Sequence, residues 1–215
     1  MVDDIVLSPE EQAEQTKEWL KKNIPSIFIG LALGISLVYG YTTYTDSKIG
    51  KSGEASALYQ TIVTSSSPET QASEKVEQFK SDFNFTPYAA KTVLLHAKNL
   101  AAQGNIDDAL TELKWVEENS KEELVTQISV LRQAEIYISQ EKFEAANKIL
   151  NQTPPLGFES NYLEMKGDVA AAQKNYAAAL TNYSEALNNG NIDRGYATFL
   201  QLKINKMNSL SKSEG

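Results

Sequence analysis

Twenty-three consecutive residues without a charge, Asn23 to Thr45, constrain this chain more than any other feature. Wound as a helix they extend roughly 34 Å, enough to cross a hydrocarbon layer of about 30 Å. Lys22 precedes the run and Asp46 follows it. Trp19 lies on one flank and Tyr39, Tyr41 and Tyr44 on the other, as in the aromatic belts of a bilayer interface. Pro25 is read as a first-turn proline at the start of the span. A buried globular helix rarely runs so long without a charge. A cleaved signal peptide has a short basic leader and a small-residue cleavage site. Here the leader carries six acids and no A-x-A pattern follows the run. The run is therefore expected to be an uncleaved anchor.

The flanking lysines set the expected orientation. Lys17, Lys21 and Lys22 stand before the span, Lys48 and Lys51 after it. Positive-inside counting places the leader in the cytoplasm and the remainder outside it, with the inverted topology as the alternative. Residues 1–22 are then a tail, 23–45 the transmembrane helix, 46–53 a polar linker, 54–210 a folded domain and 211–215 a flexible end. Gly30 and Gly34 share a helix face and would let a second membrane helix approach; glycine is also simply common in such helices.

Composition narrows what the domain can do. Of 215 residues, 28 are Asp or Glu and 20 are Lys or Arg, a net charge of -8. Such a chain is a poor partner for nucleic acid, which needs clustered positive charge. Cysteine is absent, so disulfides, thiolate metal sites and thiol nucleophiles are excluded. The lone histidine, His96, leaves little room for histidine ligation or a serine triad. Asp107-Asp108, Glu117-Glu118 and Glu122-Glu123 are adjacent in sequence, so their side chains diverge by about 100° on a helix and form no acid–base dyad. Glycine-rich phosphate loops are absent. Asn84, Asn151 and Asn182 head glycosylation-type triplets, which arise often by chance. No metal, cofactor or catalytic residue is expected, and the chain reads as a non-enzyme.

The domain reads as all helical. Ala55, Leu58, Tyr59 and Ile62 form an apolar stripe at helical spacing. Ser65 to Pro68 breaks it, with Ser67 and Pro68 read as the cap and first residue of the next helix. Ala72, Val76, Phe79 and Phe83 give that helix its buried face. Three sets of residues then repeat. Val93, Ala97, Leu100, Ile106, Ala109 and Leu113 form the first. Val130, Ala134, Tyr137, Phe143, Ala146 and Leu150 form the second. Leu163, Gly167, Ala170, Tyr176, Ala179 and Tyr183 form the third. Each set has the offsets 0, 4, 7, 13, 16 and 20, and the sets are displaced by 37 and then 33 residues. Such a period with helix–turn–helix patterning marks an α-solenoid, whose units bury their apolar faces only by stacking. Gly104-Asn105, Glu141-Lys142 and Lys174-Asn175 supply the turns inside the hairpins. Asn151 to Gly157 separates the second and third units as a turn or small lid. Tyr196, Phe199, Leu200, Ile204 and Met207 mark a closing helix within 193–210.

These sets resemble the tetratricopeptide repeat in their small–aromatic–small spacing. The usual Trp is replaced by Val93, Val130 and Leu163, and Lys121, Phe158 and Asn191 stand near the usual closing proline. The resemblance implies a groove lined by the first helix of each pair. By position it would hold Lys91, Leu94 and Lys98, then Leu131, Glu135 and Ile138, then Asn161, Glu164 and Asp168. Its charge would turn from basic to acidic along its length, suiting an extended or helical peptide. The alternative is that these are ordinary solvent-facing residues.

The whole order of elements resembles one family more closely. Gln12 to Asn23, then Gly30, Gly34 and Gly40, Ala55-x-x-Leu58-Tyr59-Gln60, Gly167-Asp168, Ala179 and Leu202-Lys203-Ile204-Asn205 are similar to the ancillary subunit of the SecYEG translocon. That resemblance implies a bacterial inner-membrane protein with a tetratricopeptide-like periplasmic domain. It also implies the translocon as partner, a membrane-anchored periplasmic peptidyl-prolyl isomerase-like chaperone as a second, and secretory or membrane proteins as clients. The alternative is a scaffold of another envelope assembly.

Overall fold

The computed structural model describes residues 8–64, 69–189 and 192–213. Among them every regular element is an α-helix. The chain falls into two compact units that part between Glu54 and Ala55.

The first unit is one helix, the greater part of α1 (Pro9–Thr64). It starts on a capping box. The Ser8 N–H donates to Glu11 Oε2 at 2.9 Å, and the Glu11 N–H donates to Ser8 Oγ at 3.3 Å. The Ser8 N–H, and after it the Ser8 hydroxyl, favour the charged carboxylate and hold the Glu11 pKa below its ordinary value. One expectation is corrected here. Pro25 is not a first-turn proline: it lies well inside α1, because the capping box and the helix-forming run from Glu10 to Asn23 start the helix upstream. Residues 46–53, expected as a polar linker, are helical and continue α1. Gly50 and Gly53 weaken it by about 1 kcal/mol each relative to alanine, yet no proline interrupts it and Ser52 Oγ bonds back to the Lys48 carbonyl at 2.9 Å.

An 18-residue window of α1 has a mean hydropathy of 1.7, and none of it is buried. The apolar helix of a soluble core would be covered by its own chain. Here Phe28, Leu31, Leu33, Ile35, Leu37 and Val38 all face outward. Among the described residues α1 is the helix long and apolar enough to cross a membrane.

The second unit is built from helices packed in sequence order. Ala55, Leu58, Tyr59 and Ile62 of α1 pack with Phe79 and Phe83. Val76 and Phe79 lie on α2 (Glu69–Asp82), and Phe83 follows it directly. The proposed break and cap at 65–68, and the side chain of Ala72, lie outside the described residues. Three hairpins follow. They are α3 (Pro87–Ala102) with α4 (Ile106–Asn119), α5 (Glu123–Ser139) with α6 (Phe143–Leu150), and α7 (Glu159–Ala172) with α8 (Tyr176–Asn188). Helix α9 (Arg194–Ser213) closes the array.

The repeat offsets are the core positions. Ala97, Ala134 and Gly167 are buried where the first helix meets the second, and Ala109, Ala146 and Ala179 are fully buried opposite them. The hairpin turns share one backbone. Gly104, Glu141 and Lys174 stand at offset 11 with φ of 85°, 58° and 59°. After each, the next N–H reaches back to the carbonyl at offset 7: Asn105 to Leu100 at 2.9 Å, Lys142 to Tyr137 at 2.8 Å, Asn175 to Ala170 at 2.8 Å. This is a Schellman closure, which needs a left-handed residue after the helix and favours glycine there. Only the first repeat uses glycine.

Polar bonds stitch neighbouring repeats. Ser129 Oγ donates to the Leu113 carbonyl at 2.5 Å, and Gln133 Nε2 to Glu117 Oε2 at 2.7 Å. Tyr162 OH donates to Gln127 Oε1 at 2.9 Å. Residues 151–158 connect α6 to α7 around Gly157, whose φ is 92°, and leave Leu156 95% exposed. Helix α9 continues to Ser213 because Leu210 still packs on the last core cluster.

Candidate partner groove

A cavity of 510 Å³ opens between α3 and α5. Leu94, Leu95, Ala97 and Ala101 come from α3, and Ile128 and Ile136 from α5. Small residues at 97 and 101 leave the space that the long aliphatic chains surround. Tyr59 forms one wall, held by a tilted ring contact with Tyr88 at 5.5 Å. Lys91, Lys98 and Arg132 bring positive charge to the lining, and Glu135 brings the carboxylate. Arg132 Nη1 sits 2.5 Å from Glu135, and Lys91 sits 3.1 Å from Glu122. Both pairs are largely solvated, so they contribute little to stability.

The expected groove residues divide. Lys91, Leu94, Lys98 and Glu135 come together here. Leu131 and Ile138 do not; they pack against the core cluster around Ala134 and Leu150. The face α5 turns to the cavity lies about one residue, roughly 100°, away from the expected one. The helix presents Ile128, Arg132 and Ile136 instead. Of the third set, Asn161 is half-buried at the start of α7 and outside this cavity.

Glu164 and Asp168 are not an open acidic stretch. Lys203 of α9 reaches both, 2.6 Å from Glu164 Oε1 and 2.7 Å from Asp168 Oδ1. Tyr196 OH donates to Glu164 Oε2 at 2.7 Å, and Tyr183 OH to Asp168 Oδ1 at 2.6 Å. The ammonium of Lys203 also lies 4.8 Å from the Phe199 ring centroid. Burial, then the neighbouring carboxylates, push the Tyr183 and Tyr196 hydroxyls well above their ordinary pKa of 10.0. The cluster bolts the last helix to the third repeat and uses up the charge that was expected to face a ligand.

His96 is half-buried on α3. Among the described residues no group of His, Asp or Glu side chains is arranged to hold a metal ion. On α1, Gly30 and Gly34 lie with Leu31, Ile35, Val38, Tyr39 and Thr42 along a shallow groove, and a Cβ at either glycine would meet nothing within 4 Å.

The family described as tetratricopeptide repeat-like domain matches residues 17–209, through both units. Among curated proteins, the chain is 27% identical over 175 residues to the ancillary SecYEG translocon subunit of Haemophilus influenzae, covering 78% of this chain and 82% of that one. It is 26% identical over 171 residues to the protein of the same name from Neisseria gonorrhoeae, again 78% and 82%. The Escherichia coli protein of that name is 21% identical over 166 residues, 77% and 80%. No solved structure matches the chain. The chain thus belongs to the tetratricopeptide repeat-like domain family, related over most of its length to the ancillary SecYEG translocon subunits.

Proposed function

We propose that this protein is a membrane-anchored, non-catalytic adaptor that works beside the SecYEG translocon. The observation that carries the reading is the match to relatives of that name over some four fifths of both chains. An apolar helix followed by a helical-repeat domain supports the same role, because it combines a tether with a binding surface. Residues 1–22 form the cytoplasmic tail, 23–45 the anchor, and 54–210 the periplasmic domain of a bacterial inner-membrane protein. The anchor confines the repeats to the plane where the translocon works and raises their effective concentration there. The repeats pass emerging secretory or membrane proteins to a membrane-anchored periplasmic peptidyl-prolyl isomerase-like chaperone.

Photo-crosslinkers at Arg132, on the groove, and at Gly34, on the membrane face, test this in cells. Adducts to translocon subunits and to the chaperone are expected. Adducts to outer-membrane or appendage assembly proteins instead would establish the scaffold reading. A reporter fused after Gly215 that is active only in the cytoplasm would overturn the topology.

A further inference from the structure

We propose that the cavity between α3 and α5 takes a peptide segment of a partner protein in which carboxylates flank aliphatic side chains. This rests on the adaptor reading and adds the chemistry of what the repeats hold.

The argument is one of local contrast. The chain carries a net charge of -8, yet around this cavity three cations, Lys91, Lys98 and Arg132, meet two carboxylates, Glu122 beside Lys91 and Glu135 beside Arg132. Lys98 is exposed and forms no ion pair among the described residues. An excess of cations around an apolar recess, on an otherwise acidic molecule, repels basic segments and steers acidic ones. The floor sets the second requirement. Leu94, Ile128 and Ile136 around the small Ala97 and Ala101 give aliphatic side chains a surface to cover. Nucleic acid suits this site poorly, because three cations around an aliphatic floor offer little phosphate neutralisation and no aromatic stacking row.

The contrast also explains a division within the array. In the third repeat the carboxylates at the corresponding helix are consumed by Lys203. Recognition is therefore confined to the first two repeats, where Lys98 stands exposed and the Lys91 and Arg132 pairs are solvated enough to exchange partners.

The test uses the full-length protein in detergent micelles and a fluorescently labelled short peptide alternating leucine with glutamate. Its counterpart replaces each glutamate with lysine. Fluorescence anisotropy should show at least about tenfold tighter binding of the acidic peptide, weakening as salt is raised. Lys98→Glu with Arg132→Glu should abolish that preference. Ala101→Trp, which fills the cavity without changing charge, should weaken both peptides; circular dichroism checks that each variant stays folded. Equal binding of the two peptides, no binding of either, or a preference untouched by charge reversal overturns the proposal. So does a change in oligomeric state on charge reversal, which would identify a second copy as the occupant. Co-purification of the unmodified protein with the translocon is followed in parallel. If it persists while the peptide preference is absent, only this proposal fails; if it is absent, the adaptor reading fails.

Discussion

Gly167 lies against the ring of Tyr183: a Cβ on Gly167 would stand 2.4 Å from Tyr183 Cε1. The other two repeats pair an alanine with a leucine at these offsets, Ala97 with Leu113 and Ala134 with Leu150. The third exchanged both, a smaller residue on α7 and a larger one on α8. The larger ring carries a hydroxyl out to Asp168, and so links the hairpin crossing to the charged cluster that holds α9. Gly167→Ala should therefore destabilise the domain by about 2 kcal/mol, the usual scale of overpacking in a filled core. Chemical denaturation measures it. Adding Tyr183→Leu, which restores the pairing of the other repeats, should recover part of that loss, and a strictly additive double variant would show that the two positions do not share the space.

The hairpin turns give a second prediction. Glu141 and Lys174 adopt left-handed backbones that cost a side-chain-bearing residue about 1 kcal/mol or more. Glu141→Gly and Lys174→Gly should each raise stability by about 0.5 kcal/mol, after the entropy that glycine loses on folding. Gly104→Ala should lower it by about 1 kcal/mol. Thermal melting of the three variants shows whether the signs divide this way.

Lys203 serves two carboxylates, of which Glu164 is 7% exposed. Lys203→Met should cost about 3 kcal/mol, because it leaves a buried charge without its partner. Combining it with Glu164→Gln and Asp168→Asn should return much of that loss. Denaturant midpoints at neutral pH compare the variants.

Tyr183 and Tyr196 keep their protons in the fold at pH values where free tyrosine ionises, near 10.0. The unfolded chain then releases protons that the folded one retains. Stability from these groups is complete below pH 10 and declines as the pH climbs above it. Ultraviolet titration should show these two phenolates appearing only together with the loss of helical signal. Smooth ionisation of every tyrosine in a fully helical protein would contradict the buried hydroxyl bonds.

Much of the fold was legible because a repeat states the same packing rule three times. Offsets of 0, 4, 7, 13, 16 and 20 name core contacts whatever the intervening residues, and Val93, Ala109, Ala134 and Leu150 are all buried. The groove was legible only in part. A helix changes its presented face by about 100° per residue, so a placement good to one position exchanges Leu131 for Arg132. Lys203 carries no local mark of its role: Glu164 is 39 residues away, and only the stacking of α9 brings them together. The helical state of 46–53 was hidden by Ser and Gly residues that read as a linker when taken alone. Their fate was decided by the helix entering from one side and the Ala55–Ile62 stripe leaving on the other.

The unequal displacements of the repeats arise between hairpins, since the spacing inside each is constant. Leu113 to Val130 spans 17 residues and Leu150 to Leu163 spans 13. The array thus keeps its slack in the stretches that join one hairpin to the next. An epitope or fluorophore-accepting loop grafted beside Leu156 would leave all three crossings in step, whereas the same graft at Glu141 would unzip a shared geometry and everything stacked upon it.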